Sequence, residues 1–260
     1  SAASDVYKRQ HPNSPVIMEP IFAIDMHVRA LSTASLGAMA NIMRATHLDE
    51  AIFASLCRES DMYHVLQRCA ILVSRMALTM PPPMFHDMVR ATASWPDLCR
   101  RLISTSATLS HARSRKLVAL GLAHMLRHAS AQDKGLLSAV PDMIGMWTEV
   151  VGEVVEDEAG GADRYQRELS PTRALEIGED GIPFLDEFGL IEAAPTPSSA
   201  RTDAVRSRDP SFTVPLRAYV ADTLNAVLQN GSYKTQLQSL LATIDPLAVS
   251  YTHLRAHETK

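Results

Sequence analysis

Apolar residues along this chain recur at intervals of three and four, the spacing of a helix that buries one face, and seldom alternate as they would in a strand. Ile21, Ile24, Val28, Leu31, Met39 and Ile42 predict a first helix opened by Pro20, whose missing N–H is harmless in a first turn. Leu48, Ile52, Phe53 and Leu56 predict a shorter second one. A third starts at a Ser60-Asp61 cap and carries Met62, Val65, Leu66, Cys69, Leu72 and Met76 inward. Pro81, Pro82 and Pro83 withhold three consecutive backbone donors and end it. Met84 to Ser94 and Pro96 to Ala107 then form one helix interrupted at Trp95-Pro96.

The next two stripes are the clearest. Leu117, Val118, Gly121, Leu122, Met125 and Leu126 cover about half a helical wheel, with Arg113, Lys116, His124 and Arg127 opposite, so this helix is expected to bury one face. After a turn around Asp133 to Gly135, Leu136, Val140, Met143, Trp147, Val150 and Val154 form one stripe, and Leu137, Ile144 and Val151 form a second. A helix striped twice has to be covered on two sides, which places it inside a stack. Pro141 kinks it or marks its true start. The stripe starting near Asp61 and the one starting near Ala112 lie about 51 residues apart, somewhat longer than the roughly 40 to 47 residues of a HEAT-type repeat. The expected fold is all-α: an α-solenoid of HEAT-type antiparallel helix pairs over residues 11–156, with a compact helical bundle as the alternative.

Residues 157–210 break the pattern. Asp157, Glu158, Asp163, Glu168, Glu176, Glu179, Asp180, Asp186, Glu187 and Glu192 face only three arginines before Ala200, and Pro195, Pro197, Ser198 and Ser199 follow. That composition predicts a long, acidic, partly disordered insertion. Within it, 182–185 and 188–191 are apolar enough to fold back onto a neighbouring groove. Asp209-Pro210 then turns the chain, and residues 211–248 predict a final helix pair. Its first helix is opened by Pro215, carries Leu216, Tyr219, Val220, Leu224 and Leu228, and is ended by Asn230-Gly231; its second carries Leu237, Leu240, Leu241 and Ile244.

Composition supports this picture. Aromatic residues make up only 5% of the chain and there are 12 methionines, which favours helix-on-helix packing by flexible aliphatic side chains over a β-sandwich. A net charge of −4 gives no basic surface for reading nucleic acid. Cys57, Cys69 and Cys99 are scattered, with no CxxC pair, and read as reduced thiols that fill apolar space. No apolar run reaches the roughly 18 residues of a membrane span, and no charged-then-apolar leader opens the chain, so a soluble intracellular protein is expected.

Catalytic signatures are missing: there is no GxSxG elbow, no GxxxxGK[ST] phosphate loop, no GxGxxG after a strand and no HExxH. His124 and His128 have the helical spacing of two metal ligands but sit beside Arg127 without a nearby carboxylate, as on a solvated face. No catalytic, cofactor or metal residue is assigned. The acidic insertion has a more natural electrostatic use, attracting a basic partner to a helical surface; a solubilising loop is the plainer alternative.

A further likeness rests on particular residues. An Arg115-Lys116-x-x-x-Leu120-Gly121-Leu122-x-x-Met125-Leu126 helix is followed by a partner helix holding Pro141, Trp147 and Glu153. After the acidic insertion come Asp209-Pro210, then Leu216, Tyr219 and Val220, and a last helix pair. This order resembles the C-terminal HEAT repeats of the importin-β superfamily, and among its branches the importin 11 type of nuclear transport receptor, over residues 12–248. The resemblance implies part of a large scaffold that carries protein cargo through nuclear pores, meets nucleoporins, answers to the GTPase Ran and shuttles between cytoplasm and nucleus. It implies no enzymatic activity and no cofactor. Ran-binding repeats of such receptors lie N-terminal and nothing here matches them, so no Ran contact is carried over. Acidic loops of the family contact basic cargo or Ran, which makes Glu156, Asp157, Glu158, Asp163, Glu179, Asp180, Asp186 and Glu187 the candidate cargo contacts. Another HEAT-type scaffold, or an α-helical enzyme whose site is assembled across helices, are the competing readings.

Both ends differ in character. Residues 1–10 and 249–260 lack helical periodicity and resemble translated sequencing-adapter DNA, so His253, His257 and Glu258 are expected to be no metal site despite the four-residue histidine spacing. Leaving out Lys8, Arg9, Arg255, Lys260, Asp5 and Glu258 moves the net charge from −4 to −6.

Overall fold

Prolines and short polar caps decide where these helices begin. In a computed structural model, which describes residues 15–31, 33–57, 63–130, 132–133, 135–160, 209–229 and 234–241, the first three helices are α1 (Pro15–Ala30), α2 (Thr33–Ala45) and α3 (Leu48–Cys57). Next come α4 (Tyr63–Thr79), α5 (Pro82–Thr92) and α6 (Trp95–Ser106). The third group is α7 (Ala112–Arg127), a 3₁₀ turn at Leu137–Ala139 and α8 (Val140–Gly160). Beyond residues 161–208 lie the single turn α9 (Pro210–Thr213), then α10 (Leu216–Gln229) and α11 (Lys234–Leu241). No strand occurs among the described residues.

The helices stack in two layers. α1, α4, α7 and α10 each pack on the next to form one layer, and α3, α6, α8 and α11 do the same in the other. α2 and α5 are additional short helices that pack on α3 and on each other. Successive units therefore begin at Pro15, Tyr63 and Ala112, steps of about 48 to 49 residues. The fold is an all-α repeat solenoid, and one apolar cluster runs through it from Ile21 to Val227. The interface of α4 with α7 is the most extensive, because the chains cross at a glycine: a Cβ on Gly121 would stand 2.9 Å from both Cα and Cβ of Ser74.

Local chemistry accounts for the boundaries. Ser94 caps α6, its Oγ accepting from the Asp97 amide at 3.2 Å and donating to the Asp97 carboxylate at 2.5 Å, and Pro96 occupies the first turn. Trp95-Pro96 therefore opens a helix of its own rather than interrupting one. Pro141 follows the first residue of α8 and marks its start. Pro20, expected to open the first helix, lies inside α1, and the chain breaks at Leu31 instead. That break resets the helical phase: Leu36, Ala40 and Met43 point inward on α2, while Ile42 is 64% exposed.

The largest departure concerns α7. Its expected polar face is partly covered: Lys116 is buried and His124 half-buried where α9 and α10 lie against it, while Arg127 stays exposed. Those covering helices arrive from beyond residue 208, so the wheel of α7 alone carried no sign of them. α8, by contrast, is buried on two sides as its double stripe requires, with Met143, Ile144, Trp147, Val150 and Val151 all in the core. α8 also runs on to Gly160, past the expected boundary at residue 157. The Ser60-Asp61 cap, the segments at 182–185 and 188–191, and both chain ends lie outside the described residues.

Candidate functional site

Three clusters of polar and charged residues are built into the seams between helices. In the first, Asp25 and Arg29 stand one turn apart on α1, and the Arg29 Nε donates to Asp25 Oδ2 at 2.9 Å. Arg75, the lone cation in the apolar middle of α4, donates to Asp25 Oδ1 at 2.7 Å and to Asp209 Oδ2 at 2.5 Å. Asp209 in turn caps α9, accepting from the Ser211 amide at 2.9 Å and hydroxyl at 2.7 Å. Burial alone would raise the Asp209 pKa, but the Arg75 charge and the Ser211 hydrogen bonds hold it below the usual carboxylate value. One charge network thus joins α1, α4 and the start of the last helices. Arg29, Arg75, Asp209 and Ser211 also line a crevice of about 10 Å³, room for one water-sized particle and far below the size of a substrate pocket.

The second cluster centres on Asp133, in the turn after α7. Its side chain is fully buried and accepts from the Ser130 amide at 2.7 Å and hydroxyl at 2.9 Å, Arg90 at 2.9 Å and the Trp95 indole at 3.1 Å. His86 Nδ1 lies 3.0 Å from the same carboxylate. Against the upward push of burial, the Ser130 and His86 hydrogen bonds keep this carboxyl low as well. Asp133 ties the third unit to α5 and α6 of the second.

The third cluster lies between α7 and α10. The Tyr219 hydroxyl and His124 Nδ1 share a hydrogen bond of 2.6 Å, Arg127 lies over the Tyr219 ring at 5.6 Å, and the His128 ring is 4.4 Å from that of His124. Burial, then the neighbouring His128, His86 and Arg127, lower the His124 pKa to about 4. His124 is thus half-buried against Tyr219, whereas Arg127 and His128 are exposed, as a solvated face requires. Among the described residues no three His, Cys, Asp or Glu side chains come together as a metal site, and no helix is long and apolar enough to cross a membrane. Cys69 and Cys99 are free and buried, with thiol pKa values pushed up to about 12 by burial, and Cys57 is free and half-buried.

Only three of the residues chosen from sequence as cargo contacts lie among the described residues. Glu156, Asp157 and Glu158 occupy the last turns of α8, where Glu149 and Glu153 pair with Arg115 of α7 one and two turns earlier. Asp163, Glu179, Asp180, Asp186 and Glu187 lie outside the described residues. Sequence reasoning missed Asp25, Arg29, Arg75 and Asp209 as a group. The available signal was Arg75 itself, a single cation inside the run Ala70 to Ala77, where a charge has to be paired to be tolerated.

Comparison with known proteins bears on the whole chain rather than on one cluster. No curated protein and no solved structure matches it. A family model described as importin-11-like, TPR repeats, matches residues 16–253, a range that takes in all the helices described above but for the first residue of α1. That family is one of repeat scaffolds and not of enzymes. The chain belongs to the importin-11-like family of helical-repeat proteins.

Proposed function

We propose that this chain is the C-terminal part of a nuclear transport receptor that binds basic protein cargo, shuttles between cytoplasm and nucleus past nucleoporins, and releases its load under Ran control. The family match over residues 16–253 carries the reading. Charge placement supports the basic character of the cargo. α8 ends with Glu156, Asp157 and Glu158 and no basic residue in its last turn, so carboxylates crowd the negative end of the helix dipole. A cationic partner relieves that repulsion, and the sequence from Asp163 to Glu192 adds further acidic residues. Ran control, on this reading, resides in repeats N-terminal to these.

The test uses the immobilised chain and a lysine- and arginine-rich import substrate, with Glu156, Asp157, Glu158, Asp163, Glu179, Asp180, Asp186 and Glu187 neutralised to Gln or Asn in a variant. Expected are binding that weakens steeply between low and physiological salt, a shallower salt dependence in the variant, and a complex that Ran·GTP leaves intact unless the N-terminal repeats are present. Equal affinity and equal salt dependence of the two proteins would remove the acidic residues from the interface.

A further inference from the structure

The structure assigns Ser130, in the turn after α7, as a phosphorylation site for an arginine-directed protein kinase, and the seam around Asp133 as what the added charge loosens. Recognition and access come first. Arg127 stands three residues before Ser130 and both are exposed, the arginine as the last residue of α7 and the serine beyond the helix end. A kinase that presents carboxylates to an arginine at that distance selects such a pair by charge. The other Arg-x-x-Ser stretches differ. Arg29 is buried against Asp25, Ser104 lies inside α6 with its hydroxyl on the Arg101 carbonyl at 3.2 Å, and Ser211 is buried on Asp209. The stretch from Arg167 to Ser170 falls outside the described residues.

The second observation is what the Ser130 hydroxyl holds. Its Oγ donates to Asp133 Oδ2 at 2.9 Å and lies 3.5 Å from Arg90 Nη1, which itself donates to Asp133 Oδ1 at 2.9 Å. In the transfer, Ser130 Oγ attacks the γ-phosphorus of ATP, the bond from that phosphorus to the β,γ-bridging oxygen breaks, and ADP leaves. The hydroxyl proton passes to the catalytic base of the kinase. That proton is the one Asp133 was accepting. A carboxylate with a 0% exposed side chain therefore loses a donor and gains a neighbour of about −1.5 to −2 charge. Arg90 is drawn to the phosphate and away from Asp133. The Trp95 indole and His86 are then left to hold Asp133 across the seam, and the tie between the third unit and the second weakens.

The full chain is incubated with ATP and the catalytic subunit of cyclic-AMP-dependent protein kinase, an enzyme of this class, and digested with trypsin. The peptide from His128 to Lys134 carries one hydroxyl, that of Ser130, so a phosphoryl group found on it by mass spectrometry has a single address. Expected are phosphate on this peptide, none in Ser130→Ala, and roughly tenfold slower incorporation in Arg127→Gln. The phosphorylated chain unfolds roughly 4–8 °C below the unmodified one, against about 2–4 °C for Ser130→Ala, which loses only the hydroxyl donor. Its amides at the start of α6 and in the turn after α7 exchange faster with solvent, while those of α1 keep their rates. The proposal is overturned by a 128–134 peptide left unmodified, by equal incorporation in Arg127→Gln, or by a phosphorylated chain no less stable than Ser130→Ala.

Discussion

Replacing Asp209 by asparagine separates two roles that one carboxylate plays. Asn caps a helix about as well as Asp, so the hydrogen bonds from Ser211 to the side-chain oxygen survive, while the charge facing Arg75 is lost. Both members of that pair are almost fully buried, with side chains 3% and 2% exposed. Removing one partner of such a pair costs about 3–5 kcal/mol when the other is left alone. Arg75 keeps Asp25, which also serves Arg29, so the cost falls somewhat below that range, at about 2–3 kcal/mol. Asp209→Ala also loses the cap and costs about 1 kcal/mol more. Arg75→Met alone strands Asp209, but in the Arg75→Met/Asp209→Asn double variant no charge faces another across this pair, so the double loses about 2 kcal/mol less than the two singles added together. Urea unfolding followed by circular dichroism measures all four proteins. The sign of the pH dependence follows from the lowered Asp209 pKa: its stabilisation is present above the ordinary carboxylate pKa near 4 and is lost as pH falls through the lower folded value. The acid limb of the wild-type stability curve is therefore shallower in Asp209→Asn. A variant within about 0.5 kcal/mol of wild type, or single costs that simply add, would refute the idea that this charge is paired and buried.

Other substitutions probe the remaining seams. Gly121→Ala places a Cβ 2.9 Å from the Ser74 backbone, and the clash outweighs the gain in helix propensity, for a net loss of about 1–2 kcal/mol in denaturant unfolding. Gly145→Ala on α8, where a new Cβ meets nothing within 4 Å, goes the other way and gains about 0.5–1 kcal/mol. His124, with its pKa lowered to about 4, favours folding when neutral, so stability falls as pH drops from about 6.5 towards 4, by roughly 2 kcal/mol at pH 4.5 after allowance for its part exposure. Over that window a His124→Leu variant shows a flatter pH profile in thermal unfolding. Trp147→Phe removes the indole hydrogen bond to the Ala119 carbonyl at 3.0 Å and part of a fully buried ring, for about 2 kcal/mol in the same assay.

How far the fold was legible depends on whether each helix declares its neighbours in its own residues. α8 does: its two stripes demanded two buried sides and it has them. The buried positions of α3 at Ile52, Phe53 and Leu56 and of α10 at Leu216, Val220 and Leu224 follow directly from spacing for the same reason. α7 does not, because its partners α9 and α10 come from the far side of residues 161–208 and meet it through polar groups such as Tyr219 on His124. A wheel counts those positions as solvent-facing. α2 failed for a different reason: nothing apolar or proline-rich announces the break at Leu31, and a phase error there turned Ile42 inward on paper. The candidate site was legible only as composition. Clustered acids at the end of α8 are visible in any reading, whereas the pairing of Asp25 with Arg75 and of Arg75 with Asp209 spans separations of 50 and 134 residues.

Those long-range pairs bear on how a repeat scaffold holds one shape. Stacked amphipathic helices bury similar apolar stripes in several registers, and dispersion forces discriminate weakly between them. In an ideal solenoid each unit also touches only its neighbours, so small register errors accumulate along the stack. Here Asp209, at the head of the fourth unit, reaches Arg75 of the second, and Asp133 binds the third unit to α5 and α6 of the second. A slip of one turn at either seam strands a buried charge at a cost of several kcal/mol, comparable with the stability of a whole domain. Ser74 and Gly121 add a steric version of the same constraint, since at this crossing of α4 on α7 a Cβ in place of Gly121 would stand 2.9 Å from Ser74. An apolar replacement of the ion pairs could match their stability, yet it would lose that discrimination. The buried charges therefore act as register marks: they fix α1, α4 and the start of the last helices, and the turn after α7 against α5 and α6, at set positions relative to one another.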